Sequence, residues 1–390
     1  MAGAATAPAN MQKGGAQPAA QAPVATRPFI VGSRQVDKST YDVTKTLIAG
    51  TQRLDTYELD TDGYTSHMYI LVEATTAGNS AATAFQPDSP FTLINTVQFS
   101  DTSNKAIIGP FSGHDLYIAC KYGGYSFVDD AKMSPIYSLT TGTGATGGST
   151  TFALRVPIEI VHRDALGALL NKSASAVYKL DITLGAIADV YSTAPTTAPS
   201  VRVRIQQFGW MDPNPADIRG NPTAQNPPAL NTVQFWDKQS FTVNAGALNL
   251  KLSTFSGMVR NVIFELRDST GSRFQGDSDF PDPFTFQYET SLPVQRIRAV
   301  WRHLIGEQFG YTGAADAAGG RDWGTYPLPY NTDFGLKPGA ESRFGYLPVS
   351  SATSLMAKGS IGGVNAHSLN VLINYVNPAS GDPRALTGGR

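Results

Sequence analysis

Val177-Tyr178-Lys179-Leu180-Asp181-Ile182-Thr183-Leu184 alternates apolar and polar side chains from Tyr178 onward. A period of two sets Tyr178, Leu180, Ile182 and Leu184 on one face and Lys179, Asp181 and Thr183 on the other. That is the pattern of a half-buried strand, not of an amphipathic helix. Val201-Arg202-Val203-Arg204-Ile205 repeats it downstream. Upstream, Leu54 to Leu59, Met68 to Val72, Phe91 to Ile94 leading into Val97-Gln98-Phe99, and Phe152 to Val156 continuing through Pro157 to Ile160 read the same way. Beyond them come Thr232 to Phe235, Leu248 to Leu252, Val259 to Leu266, Phe284 to Tyr288 and Leu369 to Val376. Many short strands joined by turns predict an all-β chain.

Composition agrees. Among 390 residues there are 38 Gly and 25 Pro, punctuation that suits turns and suits long helices poorly. Apolar residues are 41%, enough for more than one packed core. Charged residues are 16%, and 30 basic against 31 acidic side chains leave a formal charge of −1. That balance argues against a nucleic-acid coat, a polybasic membrane binder or an acidic solvating chain, and no direct sequence-specific nucleic-acid contact is expected. The single cysteine, Cys120, excludes an intrachain disulfide, and its default is a buried small hydrophobe. There is no secretory signal and no apolar run of membrane length, so synthesis in a cytoplasm is the expectation.

The chain divides by composition. Residues 1–28 hold ten Ala and four Pro without an apolar stripe, which predicts a flexible arm. Residues 211–229 carry Pro213, Pro215, Pro222, Pro227 and Pro228 and read as an extended connector. The first β-domain is then 29–210, the second 230–380, and 381–390 a tail. Two helices interrupt the strands. Gly113 to Tyr122 follows an S-x-x-D capping box at Ser112 and Asp115 and stops at Gly123-Gly124. Val294 to Phe309 places Val294, Ile297, Trp301, Leu304 and Ile305 at helical spacing and stops at Gly310.

The two domains look like copies of one plan. Ala49-Gly50 recurs as Ala245-Gly246, Pro90-Phe91-Thr92 as Pro283-Phe284-Thr285, the helix end at Gly123 as Gly310, and the strand of Leu180, Ile182 and Leu184 as that of Val371, Ile373 and Tyr375. All four spacings are roughly 190 residues, too long for a solenoid repeat and right for tandem domains. Asn95 to Phe99 recurs verbatim at Asn231 to Phe235, but out of phase, and is a coincidence of strand-forming composition. A β-sandwich or jelly roll with elaborate loops fills such a length. The expected fold is therefore two tandem eight-stranded jelly rolls with short flanking helices and long loops at Ala74 to Ala84, Thr140 to Thr151 and Gly310 to Gly320.

Sites of chemistry are sparse. Gly142-Thr143-Gly144-Ala145-Thr146-Gly147 matches G-x-G-x-x-G, but a strand follows where a dinucleotide site needs a helix. Asp277, Asp279 and Asp282 have calcium-like oxygen density but no bidentate Glu at loop spacing, so a solvated acidic turn is expected. His162, Arg163 and Asp164 are adjacent on a strand and do not converge. His303 reads as a partly buried structural histidine. Arg296, Arg298 and Arg302 beside Trp301 read as salt-bridging residues. No catalytic, cofactor or metal residue is assigned, and no cofactor is expected.

The length, the paired β-domains, the Pro-rich connector and the run Arg155-Val156-Pro157-Ile158-Glu159-Ile160-Val161-His162-Arg163-Asp164-Ala165-Leu166-Gly167 together resemble the double jelly-roll major capsid proteins of tectivirus-like icosahedral phages, a lineage that extends to adenovirus. The run is similar to the strand-then-helix element after the large loop of the first barrel in that family. The resemblance implies upright barrels, a homotrimer with a pseudo-hexagonal outline, and loops raised on the outer face. It implies partners in neighbouring capsomers, in penton and minor capsid proteins, and in an internal membrane reached by the terminal arms. The expected function is a non-enzymatic major capsid protein located in the virion. A carbohydrate-binding or adhesive tandem β-sandwich, such as a tail or surface lectin, is the alternative, and exposed aromatics on one concave face would favour it.

Overall fold

A computed structural model describes residues 26–28 and 32–377, apart from 62, 77–82, 126–129, 143–146, 163–164, 217–218, 221–223, 227–231, 254–255, 332, 334–340, 342–344 and 351. Most of the N-terminal arm, all of the tail, the centre of the Gly142 to Gly147 loop, and Arg163 with Asp164 thus lie outside the described residues.

The first barrel comprises β1 (Gln35–Thr46), β2 (Gln52–Arg53), β3 (Tyr57–Glu58), β4 (Gly63–Thr75), β5 (Ile94–Ser100), β6 (Ala106–Phe111), α1 (Gly113–Lys121), β7 (Ser149–Pro157), β8 (Lys179–Leu184) and β9 (Ser200–Trp210). One of its sheets runs β1-β9-β4-β7. The other runs β2/β3-β8-β5-β6. The second barrel comprises β10 (Val233–Val243), β11 (Gly246–Lys251), β12 (Gly257–Asp268), α2 (Arg273–Asp279), β13 (Phe284–Tyr288), β14 (Ser291–Arg296), α3 (Arg298–Phe309), β15 (Thr325–Pro329), β16 (Leu355–Ile361) and β17 (His367–Asn377). Its sheets run β10-β17-β12-β15 and β11-β16-β13-β14. With β2 and β3 counted as one broken strand, each barrel has eight strands in the same two four-strand orders. That is a jelly roll made twice.

Alternation fixes which face is buried. In β4 the inward set Met68, Ile70, Val72 and Ala74 faces the core. In β9 Val201, Val203 and Ile205 do the same while Arg202 faces solvent. Each fully buried aliphatic side chain contributes about 1.5–3 kcal/mol, so a register slip of one residue, which turns the whole set outward, is strongly disfavoured. One hydrophobic core runs through both barrels without a break.

Several elements differ from their sequence reading. The strand through Pro157 ends there, and Val161 closes on Leu166 in a tight turn instead of opening a helix. Phe91–Leu93 is a turn of 3-10 helix before β5. Val294 to Arg296 belong to β14, held opposite Phe286 to Phe284, so the second helix starts only at Arg298. Three of the four repeat markers join equivalent elements, but the fourth does not. Leu180 lies in the seventh strand of barrel one and Val371 in the eighth of barrel two; clean alternation is common to both and cannot tell them apart. Of the out-of-phase copy Asn231 to Phe235, Val233 to Phe235 likewise fall on a different strand from that of Asn95 to Phe99, and Asn231 lies outside the described residues. Thr26–Pro28, the end of the arm, pairs in parallel with connector residues Ala224–Asn226.

Candidate assembly edges and the joint between the barrels

The barrels meet edge to edge. β6, the edge of the first barrel's second sheet, pairs in parallel with β10, the edge of the second barrel's first sheet, through Ile108 and Trp236. The two sheets thereby join into a single continuous one. Pro110 in β6 has no N–H to donate, so side chains do most of the joining. Trp236 is buried against Phe111 at 6.5 Å and donates from Nε1 to Tyr125 Oη at 3.0 Å. Gln234 Nε2 donates to the carbonyls of Pro157, Ile158 and Glu159, and its Oε1 accepts from Tyr125 and Asn374. Lys238 of β10 donates to Asp115, the carboxylate that also caps α1. Asn261 of β12 donates to the Tyr122 carbonyl at the end of that helix.

Because the barrels share one plan, the edges joined inside the chain have free counterparts. β14 is the counterpart of β6, and β1 is the counterpart of β10. Among the described residues β14 pairs only with β13 and β1 only with β9. β14 carries Pro293 much as β6 carries Pro110. Around it Leu292 is 61% exposed, Ile297 57% and Val300 50%. Helical spacing predicts Ile297 on the inner face; instead it caps α3 in extended backbone and faces out, while Trp301, Ile305 and Phe309 are the buried stripe. β1 presents a polar edge whose Asp42 pairs with Arg202.

The residues singled out for chemistry are used elsewhere. Asp277 is no solvated turn: α2 buries it, and it accepts from Arg321, Arg302, Tyr326 and the Gly324 amide. Asp279 pairs with His367 at 3.0 Å, and Asp282 accepts the first amide of α3, from Arg298. The three carboxylates are therefore split among three jobs. Among the described residues no group of three or more His, Cys, Asp or Glu side chains is placed to hold a metal. Arg298 reaches the carbonyls of Asp277, Ser278 and Phe280, and Arg296 lies 5.0 Å over the Trp301 ring. His303 is exposed, not partly buried. Cys120 is buried, with Sγ donating to the Arg155 carbonyl.

His162 finds a partner that adjacency did not suggest. Its Nδ1 lies 2.6 Å from Glu159, itself buried, and Glu159 also faces Arg155 at 3.4 Å and His67 at 3.7 Å. The hydrogen bond to Glu159 raises the His162 pKa despite partial burial. Burial, then the charges of Arg155 and His162, push His67 down to about 2.

A second ionic set lies between the barrels and escapes any reading of the sequence. Asp88 and His114 of barrel one meet Glu265, Arg267 and Arg273 of barrel two. It borders an open cleft of about 650 Å³ whose lining aromatics are Phe274 and Trp323, ring to ring at 4.9 Å. Deeper, Lys121 lies fully buried beside Asp130 and Asp322. Nothing in the sequence brings these together, since the partners come from loops about two hundred residues apart.

No protein-family model matches this chain, and no curated protein sequence matches it. Solved structures do. Similarity to the major capsid protein of STIV, the Sulfolobus turreted icosahedral virus, covers 89% of this chain and 97% of that one, with 13% identity and a TM-score of 0.62. For the PBCV-1 virus capsid the figures are 88% and 94%, with 11% identity and a TM-score of 0.54. For the major capsid protein of bacteriophage PM2 they are 90% and 100%, with 9% identity and a TM-score of 0.51. At such identities the likeness is one of fold, and it spans both barrels: this chain has the double jelly-roll fold of those proteins.

Proposed function

We propose that this chain is a major capsid protein, a structural subunit that works by tiling and carries out no reaction. The observation that carries the proposal is the joint between β6 and β10 together with its two unused counterparts. A second copy offering β1 to β14 would repeat the joint already built inside the chain. Such a contact is head-to-tail, and it makes a ring when the rotation closes. Two barrels per chain and six per ring give a homotrimer with a pseudo-hexagonal outline. The exposed Leu292, Ile297 and Val300 would then stand on the side of the joint that Phe111 occupies inside the chain, facing β1 as Phe111 faces Trp236.

Low charge supports the same reading, since interface cores are depleted in charged side chains. The assembled location is the virion. Further partners are neighbouring capsomers, penton and minor capsid proteins, and an internal membrane approached by the terminal arms. β1 begins beside the end of β9, at the end of the barrel opposite the loop that carries Asp88.

Light scattering on the purified chain tests the proposal. The expected mass is three times the 41.5 kDa protomer, and electron microscopy should show hexagonal tiles. A monomer that persists at micromolar concentration overturns it.

A further inference from the structure

Lys121 ends α1 with no exposed surface on its side chain. Its Nζ lies 2.8 Å from Asp322 Oδ2 and 3.3 Å from Asp130 Oδ2, and both carboxylates are equally buried. It also donates to the Gly320 carbonyl at 2.6 Å and to Tyr117 Oη at 3.0 Å. The rings of Tyr311, Tyr117 and Tyr122 enclose it at 4.8, 5.4 and 5.8 Å. An amine, a target carboxyl and a second carboxyl are thus held together inside a shell of aromatic rings that excludes water.

We propose that Lys121 and Asp322 condense to an intramolecular isopeptide bond, with Asp130 as the proton-transfer group. Lys121 gives up a proton to a carboxylate of the cluster. The neutral Nζ attacks Cγ of Asp322, a C–N bond forms, and one C–O bond of the carboxyl breaks. Of the three ammonium protons one stays on the amide, and two leave with the carboxyl oxygen as water. No oxidant, reductant or co-reactant is needed.

The two acids are not interchangeable. Asp322 is the nearer, and its oxygens accept from Tyr122 Oη at 3.0 Å and Tyr117 Oη at 3.2 Å. Lys132 and Arg273 approach Asp322 Oδ1 at 4.0 and 3.9 Å. The two tyrosine hydroxyls already donate to the oxygens on which the tetrahedral oxyanion would develop, Lys132 and Arg273 add positive charge at longer range, and such preorganised donors lower the barrier to acyl transfer more than other effects usually do. Asp130 is tied down instead by the amides of Lys132 and Gly319. Tyr117 Oη touches both acids, at 3.2 and 3.3 Å, and gives the proton a path between them.

Burial works to raise the Asp322 pKa, but Lys121, Lys132 and Arg273 together hold it below the usual carboxylate range. The protonated form of Asp322 is therefore the minor one. A bond made once per molecule tolerates that, because it has hours and needs no turnover. Held reactants also carry a large effective concentration. The product would staple barrel one to the long loop of barrel two. This inference is independent of the assembly reading and survives its failure.

Intact-mass measurement of the denatured full chain tests it directly. The expected mass is about 18 Da below that of the sequence, the loss of one water. A tryptic map should hold one branched peptide joining the Lys121 and Asp322 segments, uncleaved after Lys121. Asp130→Asn should restore the full mass and the linear peptides while circular dichroism still reports β structure. A wild-type chain at its full sequence mass overturns the proposal. So does a water loss that maps to any other pair, or an Asp130→Asn chain that remains branched.

Discussion

His67 and His162 share one carboxylate, Glu159, yet titrate in opposite directions. Burial dominates at His67, which stacks on Phe208 with ring centroids 4.7 Å apart; a direct hydrogen bond dominates at the half-exposed His162. The unfolded chain takes up a proton at His67 near the ordinary value of 6.5, whereas the native state refuses it down to about 2. Below neutrality the unfolded state thus binds more protons, and stability falls with pH. His162 acts in the opposite sense: its raised pKa adds stability below 6.5, which is lost as pH rises through the raised value. Its shift is the smaller, so His67 sets the slope. Two pH units below 6.5 are worth about 3 kcal/mol at His67. His67→Gln should remove most of that loss, read as the difference in urea midpoint between about pH 7 and pH 4.5; equal slopes in both proteins refute it. Sequence reading singles out His162 and its neighbours Arg163 and Asp164, which it expects not to converge, but it does not find Glu159, because a contact three residues back depends on the chain leaving the strand after Pro157. A second buried charge is not legible at all. Arg260 lies inside barrel two, bidentate to Glu341 and bonded to Asn374. Glu341→Ala breaks that bidentate pair inside the core and should cost about 3–5 kcal/mol in chemical denaturation.

At the scale of elements, caps are legible and tertiary clamps are not. The Ser112/Asp115 box is written in four consecutive positions and forms as read, with the side chain of each residue meeting the backbone of the other. Helix α2 is invisible in the sequence, because Gly276, Asp277, Ser278 and Asp279 are poor helix formers. Tertiary contacts override that propensity. A Cβ at Gly276 would stand 1.9 Å from the Leu266 carbonyl oxygen, so only glycine lets the helix lie this close to β12. Asp277 then pins it from inside the fold through Arg302, 2.5 Å away on α3, and Arg321, 2.8 Å away on the following loop. Because both arginines keep some contact with water, Asp277→Ala should cost about 3 kcal/mol, at the lower end for a broken buried pair. Calorimetry should show the loss whether or not calcium is present. A melting temperature raised by millimolar calcium in the parent chain, and not in this variant, would instead make the aspartate a metal ligand.

At the scale of the molecule, duplication is legible because loops and turn words mark strand ends, whereas alternating strands are mutually anonymous. Ala49-Gly50 lies between the first and second strands of barrel one, and Ala245-Gly246 stands at the same junction of barrel two, where Gly246 opens the second strand. Gly246 has φ +104°, a conformation that side-chain-bearing residues rarely adopt. What the sequence could not show is which edges are left over. That follows only from seeing β6 consumed by β10 while β14 and β1 remain. Three half-exposed aliphatic side chains, Leu292 in β14 and Ile297 and Val300 at the start of α3, should contribute about 1 kcal/mol each when a neighbouring copy covers them, repeated at every joint of a closed ring. Leu292→Asp combined with Val300→Asp removes that gain and places two charges in the contact. Both positions are exposed in the protomer, so its own unfolding midpoint should stay within about 0.5 kcal/mol. Light scattering should then report monomer where the parent chain gives trimer. A variant that stays trimeric would move the contact off β14, and a parent chain whose joint lies elsewhere would break the equivalence between the internal seam and the one between copies.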